Sequence, residues 1–299
     1  MSDFDTLVVR FSSLGDVVLA SSITGELGRV AFLTHRRYAS LVERFSGVEA
    51  VISPEEGEAW WSLRARLPRA ARVVDLHASL RSRLVLAGRG ASRLERLDGA
   101  RRLRVAAKLS SPIPTVLSRY AAAAGVSPSP RPWIPLPEAP RAALALVPGA
   151  SHATKAWPLE RFQELASAWD GPVLALGGPG EEALVQAVAG ANPRGEAVLE
   201  RGFERTLAAL GRARALVAGD TGLLHLAAAT GVPVLGLFGP TTPADGFWDH
   251  PGETAEIPLY CRPCSRFGGQ RCAFGDHQCM QGLSVEQVRQ ALERLLGRR

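Results

Sequence analysis

Residues 6–18 read TLVVRFSSLGDVV, and this stretch indicates the fold class. Residues 6–11 form an apolar, β-branched run that predicts a buried strand, and residues 16–27 behind it predict a helix. Only a short turn containing Gly15 separates the two. A continuous apolar strand that leads directly into a helix is typical of a parallel sheet with helices on both faces.

The same alternation continues along the chain. Further strands are expected at residues 30–34, 73–76, 142–147, 173–176, 216–218 and 234–238, and helices near 37–45, after 158 and over 284–296. Ser284 and Gln287 have the capping-box spacing of a helix start. Six prolines between residues 128 and 140 interrupt the alternation and predict an extended linker. We therefore predict an α/β protein with two Rossmann-like, doubly wound domains that face each other across a cleft. The first is residues 1–140 with the linker, and the second is residues 141–299.

Composition excludes several classes of protein. The chain has 299 residues and a formal net charge of +6, and its only two lysines are Lys108 and Lys155. Neither lysine follows a glycine, which excludes a P-loop nucleotide-binding motif. No apolar run reaches the roughly 18 residues of a membrane-spanning helix, and the first residues lack a signal-peptide pattern. We therefore expect a cytoplasmic protein.

The positive charge is concentrated in the first domain. Residues 1–140 carry a net charge of +7 and residues 141–299 a net charge of −1. Within residues 61–104 there are 12 arginines and three acidic residues. A concentrated basic field attracts nucleic acid, an anionic membrane surface or a phosphorylated substrate. The alternative is that these arginines only lie on solvent-exposed helix faces and bind no ligand.

The first candidate site residue is Asp16, which follows Gly15 where the first strand turns into the first helix. Ligands of open α/β sheets bind beyond the carboxyl ends of the strands. An ionised carboxylate near a helix N-terminus is stabilised by the helix dipole, and it could act as a general base. The alternative interpretation is a helix cap, which is the commoner role for aspartate at such a position.

Two segments of the second domain have the composition of a phosphate site. Residues 147–158 follow its first strand and offer small residues, hydroxyls and the cation Lys155. Residues 219–229 begin with Gly219 and Asp220, and the free backbone N–H groups of a starting helix would point at an anion. His225 lies one turn into that helix, where a histidine is more often part of the core. The turn at residues 238–243 follows the next strand and should line the same site.

The four cysteines all lie between residues 261 and 279. Their positions are Cys261, Cys264, Cys272 and Cys279. In a cytoplasmic chain such clustering favours a structural zinc ion or a redox-labile pair over simple structural disulfides. The spacing does not match a standard zinc ribbon, so both hypotheses stay open.

Together these segments resemble glycosyltransferase family 9, the ADP-heptose:lipopolysaccharide heptosyltransferases. The similar stretches are residues 8–18, 73–82, 148–150, 155–158, 219–229 and 238–241, together with the Cys-Arg-Pro-Cys segment at 261–264. The resemblance implies a GT-B fold, in which the C-terminal domain binds the nucleotide sugar and the N-terminal domain receives the acceptor. It also implies transfer of heptose from ADP-heptose to an anionic glycolipid of the lipopolysaccharide-core type, with inversion and without a catalytic metal or other cofactor.

The resemblance further implies roles for individual residues. Asp16 would be the general base, and Lys155 would stabilise the charge on the leaving ADP together with the backbone at Thr221 and Gly222. Either Glu181 or Glu182 would contact the adenosine. The donor site as a whole would comprise Ser151, Thr154, Lys155, Asp220, Thr221, Gly222 and His225. A protein with a glycolipid acceptor is also expected at the inner face of the cytoplasmic membrane, as a peripheral protein.

Three alternatives compete with this interpretation. One is a GT-B enzyme with another nucleotide-sugar donor, and a second is an epimerase, which would have no use for a large basic acceptor domain. The third is a nucleic-acid-binding protein. We expect no nucleic-acid partner, because the sequence has no helix-turn-helix, RNA-recognition or zinc-finger pattern.

Overall fold

The computed structural model describes residues 2–109, 112–127, 131–136, 139–199, 202–246 and 250–297. These residues form two compact units. Unit 1 comprises Met1–Leu97 and Pro114–Pro135, and unit 2 comprises Asp98–Ile113 and Leu136–Arg299.

Strands and helices alternate along both units. The strands are β1 (Phe4–Val9), β2 (Val30–Leu33), β3 (Val48–Ile52), β4 (Ala70–Asp75), β5 (Ser92–Arg93), β6 (Ala143–Val147), β7 (Val173–Gly177), β8 (Gly195–Leu199), β9 (Ala213–Gly219), β10 (Val234–Phe238) and β11 (Glu253–Glu256). The helices are α1 (Leu14–Thr24), α2 (Ala39–Val42), α3 (Trp60–Arg66), α4 (Leu80–Val85), α5 (Asp98–Ala106), α6 (Val116–Ala124), α7 (Leu159–Ser167), α8 (Glu182–Gly190), α9 (Glu204–Arg212), α10 (Gly222–Ala229), α11 (Gln278–Gln281) and α12 (Val285–Gly297).

Each unit contains one parallel sheet, which confirms the predicted α/β class. The sheet of unit 1 has the order β3-β2-β1-β4-β5, and that of unit 2 has the order β11-β10-β9-β6-β7-β8. Every strand pairing within the described residues is parallel. The strand order reverses between β1 and β4 in unit 1 and between β6 and β9 in unit 2. Ligands of doubly wound sheets bind at such reversal points, beyond the carboxyl ends of the strands.

The central strands are apolar because helices cover both of their faces. Leu7, Val8 and Val9 of β1 are fully buried, as are Leu144, Ala145 and Leu146 of β6. This burial explains the continuous apolar runs from which the strands were predicted. It also holds the loops that follow β1 and β6 on a rigid base.

Several boundaries differ from the sequence-based prediction. β10 spans the predicted residues 234–238, whereas β1 begins two residues early and ends at Val9. Helix α1 starts at Leu14 because Ser13 caps it, and the helix predicted near 37–45 is only a 3₁₀ turn followed by α2. The capping box of α12 is confirmed, with Ser284 N–H donating to Gln287 Oε1 at 2.9 Å and Gln287 N–H donating to Ser284 Oγ at 3.2 Å.

The predicted linker lies only partly within the described residues. Pro128, Pro130 and Pro137 fall outside them, while Pro132, Pro135 and Pro140 lie in segments without helix or strand. The domain boundary at residue 140 stays a prediction. No helix among the residues that the structure describes is long and apolar enough to cross a membrane.

Helix α5 packs with unit 2 although strands of unit 1 precede it in the chain. Arg104 of α5 is buried and donates from Nε to Asp245 Oδ1 at 2.8 Å, and its Nη2 donates to Thr242 Oγ1 at 3.2 Å. The side chains of Arg104 and Asp245 are only 2% and 7% exposed. Breaking a buried ion pair on one side leaves an uncompensated charge, so this contact holds α5 in place.

We predict that Arg104→Met lowers the free energy of unfolding by about 3–5 kcal/mol, the usual cost of leaving one partner of a buried ion pair unpaired. Chemical denaturation measures the effect. The matched control is Arg212→Met, which removes the exposed pair between Arg212 Nη2 and Glu196 Oε2 at 2.9 Å. That change should cost no more than about 1 kcal/mol. Equal losses in the two variants would contradict the structural role of Arg104.

Candidate active site

The first cluster of polar groups lies where β1 ends and α1 begins. Ser13 is the N-cap of α1, and its backbone N–H and hydroxyl donate to Asp16 Oδ2 at 3.2 and 2.8 Å. Arg10 Nη2 pairs with the same oxygen at 2.5 Å. Asp16 is therefore part of a capping box, as the helix-cap interpretation of the sequence predicted. The cap uses only one carboxylate oxygen, and Oδ1 has no hydrogen-bond partner among the described residues.

The electrostatic surroundings keep Asp16 ionised. Burial alone would raise its pKa, but the charge of Arg10 and the hydrogen bonds from Ser13 outweigh burial and lower the pKa below the usual aspartate range. Arg10 also donates from Nη1 to the carbonyl of Leu76 at 2.6 Å. One guanidinium thus joins the turn after β1 to the turn after β4, the two strands between which the order reverses.

The turn after β4 is organised by a buried aspartate. Asp75 Oδ1 accepts from the backbone N–H groups of His77 and Ala78 at 3.1 and 2.8 Å, and Asp75 Oδ2 accepts from Ser82 Oγ at 2.9 Å. The His77 ring packs edge-on against Phe11, with 5.2 Å between the ring centroids. Burial, followed by the charge of Arg10, lowers the pKa of His77 to about 4. His77 is therefore neutral at physiological pH.

The second cluster lies where β6 and β9 end in unit 2. Lys155 Nζ pairs with Asp220 Oδ2 at 2.6 Å, and Thr241 Oγ1 donates to the same oxygen at 2.9 Å. Burial would raise the pKa of Asp220, but Lys155 and then His225 outweigh it, so the pKa is lowered. A side chain on Gly219 would place Cβ 2.7 Å from the Lys155 carbonyl, so only glycine allows this close approach.

Helix α10 begins beside that ion pair. Thr221 is its N-cap, and the Thr221 hydroxyl oxygen is buried without a hydrogen-bond partner in the described part of the chain. The first N–H groups of the helix, at Gly222 and Leu223, have no acceptor within the helix. His225 Nε2 lies 4.0 Å from Asp220 Oδ1, and His225 Nδ1 lies 2.7 Å from His250 Nε2. The His225 side chain is buried, and its ring faces the polar cluster.

The loop before Lys155 is anchored by Thr154. The Thr154 hydroxyl donates to the Gly269 carbonyl at 2.9 Å and accepts from the Gly269 N–H at 2.8 Å. Both hydrogen bonds of the hydroxyl anchor the loop, so a contact between Thr154 and the nucleotide sugar stays a prediction. Ser151 is exposed in the same loop.

The two candidate glutamates differ in their surroundings. Glu181 accepts from the Gly178 N–H at 2.8 Å, and a side chain on Gly149 would overlap with the Glu181 carboxylate. Glu181 therefore lies against the loop that follows β6. Glu182 is the first residue of α8.

The cysteine segment covers the turn after β10. Arg262 donates from Nε to the Gly239 carbonyl at 2.5 Å and from Nη2 to the Thr241 carbonyl at 3.0 Å. The cysteines are free thiols, and the pKa of Cys279 rises to about 11 through burial and the neighbouring thiols. The described residues include no group of three or more His, Cys, Asp or Glu that could hold a metal ion. The contacts of Arg262 thus support a packing role for this segment, while the zinc and redox-pair hypotheses stay predictions.

Many arginines of the basic segment have structural partners. Arg104 is buried in unit 2, Arg66 pairs with Glu58 at 2.8 Å, and Arg89 donates to the Pro68 carbonyl at 2.8 Å. Arg81 and Arg83, in α4, are among the eight of these 12 arginines that are exposed. Most of the positive charge of residues 61–104 therefore lies on exposed side chains, some of which are paired, as Arg66 is.

The structure brings together five of the seven donor-site residues that were predicted in unit 2. Lys155, Asp220, Thr221, Gly222 and His225 meet at one edge of the second sheet. Sequence reasoning did not single out a role for a further set of residues, namely Arg10, His77, His250 and Arg262. Arg10 carried a signal, because a charged residue within the otherwise apolar run at residues 6–11 needs a partner.

Comparisons with known proteins all indicate the same family. Residues 63–264 match the profile of glycosyltransferase family 9 (heptosyltransferase). Lipopolysaccharide heptosyltransferase 1 of Pseudomonas aeruginosa is 39% identical over 133 residues, which are 40% of this chain and 36% of that protein. The aligned region thus spans little more than a third of that relative.

Two solved structures resemble the whole chain. The glycosyl transferase family 9 protein of Veillonella parvula has a TM-score of 0.75 at 17% identity, covering 100% of this chain and 99% of that one. The ADP-heptose lps heptosyltransferase II of E. coli has a TM-score of 0.74 at 22% identity, covering 98% and 99%. These likenesses confirm the GT-B type of fold. Because the family profile matches well over half of the chain, the protein is a glycosyltransferase that belongs to glycosyltransferase family 9, the heptosyltransferase family.

Proposed function

We propose that the protein transfers heptose from ADP-heptose to an anionic glycolipid acceptor of the lipopolysaccharide-core type, with inversion and without a catalytic metal. The observation that carries the proposal is the cluster at the β6 and β9 ends, where Lys155 lies beside the open start of α10. A cation and free N–H groups at one point form a site for a diphosphate. The ADP-heptose named for the E. coli relative is a donor of this chemistry.

The donor site can stabilise the leaving group with protein groups alone. As the bond between the sugar and the diphosphate breaks, negative charge grows on the phosphate oxygen. Lys155 and the N–H groups at the start of α10 lie in position to stabilise that charge. Asp220 holds Lys155 at 2.6 Å and so orients its ammonium group. The His225 ring faces Asp220 and is oriented by His250 at 2.7 Å.

Of the two glutamates, we assign the adenosine contact to Glu181. Its carboxylate lies against Gly149 in the loop after β6, next to the strand edge that carries Lys155. A carboxylate accepts hydrogen bonds from ribose hydroxyls, as acidic residues do in other Rossmann-like sites. Ser151, exposed in the same loop, is a further candidate for a phosphate contact.

The proposed donor is tested by a ligand screen. We predict that ADP raises the melting temperature of the protein more than UDP, GDP or CMP at equal concentration, because a ligand that binds only the folded state stabilises it. Thermal-shift measurements without added metal are sufficient. A preference for UDP or GDP would contradict the assignment of ADP-heptose and indicate another nucleotide sugar.

The two lysines of the chain provide a matched pair for the donor site. We predict that Lys155→Ala weakens ADP binding by roughly tenfold or more, since a charged hydrogen bond contributes about 1.5–3 kcal/mol. Isothermal titration calorimetry measures the affinity. Lys108, whose Nζ donates to the Pro263 carbonyl at 3.1 Å, is the control. Equal ADP affinities of the Lys155→Ala and Lys108→Ala proteins would exclude Lys155 from the diphosphate site.

On the acceptor side, Asp16 has the properties of a general base. Its carboxylate is ionised, and Oδ1 is free to accept the proton of an acceptor hydroxyl. In the proposed step that hydroxyl oxygen forms a bond to the anomeric carbon while the bond to ADP breaks. The proton passes to Asp16 Oδ1, and the electron pair leaves with ADP.

We predict that Asp16→Asn lowers kcat by about 10²–10⁴-fold, the usual contribution of a general base, and leaves ADP affinity unchanged. Steady-state transfer assays with the glycolipid acceptor give kcat, and calorimetry gives the ADP affinity. Glu26→Gln is the control, because Glu26 is exposed just beyond the other end of α1. Near-normal turnover of Asp16→Asn would reject the role of general base.

The ion pair with Arg10 sets the pH range of this base. In the folded protein the Asp16 pKa lies below the ordinary value of about 3.9, so the carboxylate is ionised above that pH. We predict that Arg10→Met moves the acidic limb of the kcat/KM profile to higher pH. Without the guanidinium, burial is opposed only by Ser13, and the pKa rises. Arg29→Met, which removes an exposed arginine near Asp5, should leave the profile in place. An unmoved acidic limb in Arg10→Met would contradict the electrostatic account.

A peripheral location at the inner membrane face remains part of the proposal. Trp61 and Leu80, at the starts of α3 and α4, are 63% and 75% exposed, and Arg81 and Arg83 lie beside Leu80. Exposed apolar side chains next to arginines suit the interface of an anionic lipid layer. This arrangement supports an acceptor that is carried by a membrane.

The cysteine segment has no catalytic part in this proposal. If the protein binds a metal there, we expect it to be structural, and metal analysis of untagged protein decides the question. A zinc-free, fully active preparation would remove the metal hypothesis and leave the packing of Arg262 against the β10 turn as the role of the segment.

A further inference from the structure

We propose that His77 and Asp16 together bind two hydroxyl groups of the acceptor sugar, so that His77 is an acceptor-binding residue that orients the reacting hydroxyl. The inference rests on the proposed transfer to a sugar acceptor. It concerns a half-buried imidazole that has no part in the mechanism above.

The position of His77 follows from the topology of unit 1. His77 comes two residues after the end of β4, and Asp16 lies in the first turn of the helix that follows β1. The two strands are neighbours at the point where the strand order reverses. Arg10 connects the two turns, because its guanidinium contacts both Asp16 Oδ2 and the carbonyl of Leu76 next to His77.

The imidazole is held in one orientation. The backbone N–H of His77 donates to Asp75 Oδ1 at 3.1 Å, and the imidazole ring packs edge-on against Phe11 at an interplanar angle of 89°. The Nδ1 atom is buried and has no hydrogen-bond partner among the described residues. Buried polar atoms of a folded protein are nearly always hydrogen-bonded, so an orphaned ring nitrogen indicates a partner that arrives with a ligand.

The charge state of His77 indicates the kind of ligand. Burial and the nearby charges of Arg10 and Arg96 disfavour the protonated form, while Asp75 and Asp16 favour it, and the pKa is lowered to about 4. A neutral imidazole has one donor and one acceptor nitrogen. That pair matches a sugar hydroxyl, which both donates and accepts, better than it matches a phosphate or carboxylate.

The free atoms of the two residues complement each other. Asp16 Oδ1 accepts the proton of the attacking hydroxyl, and His77 Nδ1 forms a hydrogen bond with a second hydroxyl of the same sugar. Two fixed contacts orient the attacking oxygen, and correct orientation of reactants contributes strongly to rate. His77 would therefore affect acceptor binding more than donor binding.

The test compares two histidines that both pack against Phe11. His77→Phe keeps a ring of similar shape and removes the nitrogens. His35→Phe is the control, because the His35 ring lies 5.6 Å from Phe11 on a different strand end. With a lipopolysaccharide truncated before its first heptose as acceptor, we expect His77→Phe to raise the acceptor KM about tenfold, the effect of one lost hydrogen bond. The ADP affinity and the melting temperature should stay unchanged. His77→Gln, which keeps a donor and an acceptor, should restore part of the loss.

A second readout separates this inference from the proposed function. Nitrogen-15 NMR of histidine-labelled protein should show the His77 ring resonances shifting when the truncated lipopolysaccharide is added, and not when ADP alone is added. An unchanged acceptor KM in His77→Phe would overturn the inference while transfer by the wild type stands. If the wild type transfers no heptose, the proposed function fails. In that case, unshifted His77 resonances in the presence of the lipopolysaccharide would overturn the inference independently.

Discussion

The strand order reverses once in each sheet, and the positions of Asp16, Lys155 and the groups around them depend on this constraint. Helices that leave adjacent strands at a reversal point pack on opposite faces, so the loops diverge and leave an opening at the carboxyl ends. In unit 1 the opening lies between β1 and β4, and it collects Asp16, Arg10 and His77. In unit 2 it lies between β6 and β9, and it collects Lys155, Asp220 and the start of α10. Buried apolar strands beneath both openings keep these groups in fixed positions.

Arginine and lysine have different tasks in this chain. Several arginines hold the structure together by donating to carbonyl oxygens or buried carboxylates, as Arg10, Arg104 and Arg262 do. The planar guanidinium suits such multiple contacts, whereas an ammonium group is a compact point charge. Lys155, at the proposed donor site, is held by a single aspartate and lies beside the free N–H groups at the start of α10. The net charge of a segment is therefore a poor guide to its ligand unless the internal partners of each arginine are known.

Local pattern was sufficient to predict the class of fold, most strand positions and a set of residues that the structure brings together at the ends of β6 and β9. Apolar runs mark buried strands, and the residues that follow them necessarily lie at the carboxyl edge of a parallel sheet. The contacts that escaped prediction join residues far apart in the chain. Arg10 meets Leu76 across 66 residues, and Arg104 meets Asp245 across 141, which places α5 in unit 2. His77 was visible only as part of a family-like stretch, because burial and a missing partner can be recognised only in three dimensions.

The central claim is a single displacement, in which a hydroxyl activated by Asp16 attacks the anomeric carbon and ADP leaves toward Lys155 and the start of α10. The most direct measurement is NMR of the transferred heptose in the isolated product, made by protein incubated with ADP-heptose and truncated lipopolysaccharide in the presence of a metal chelator. The account predicts one product, with the anomeric configuration opposite to that of the donor and a rate unaffected by the chelator. A product that retains the configuration of the donor would contradict it, because retention requires a second displacement or a different attack geometry.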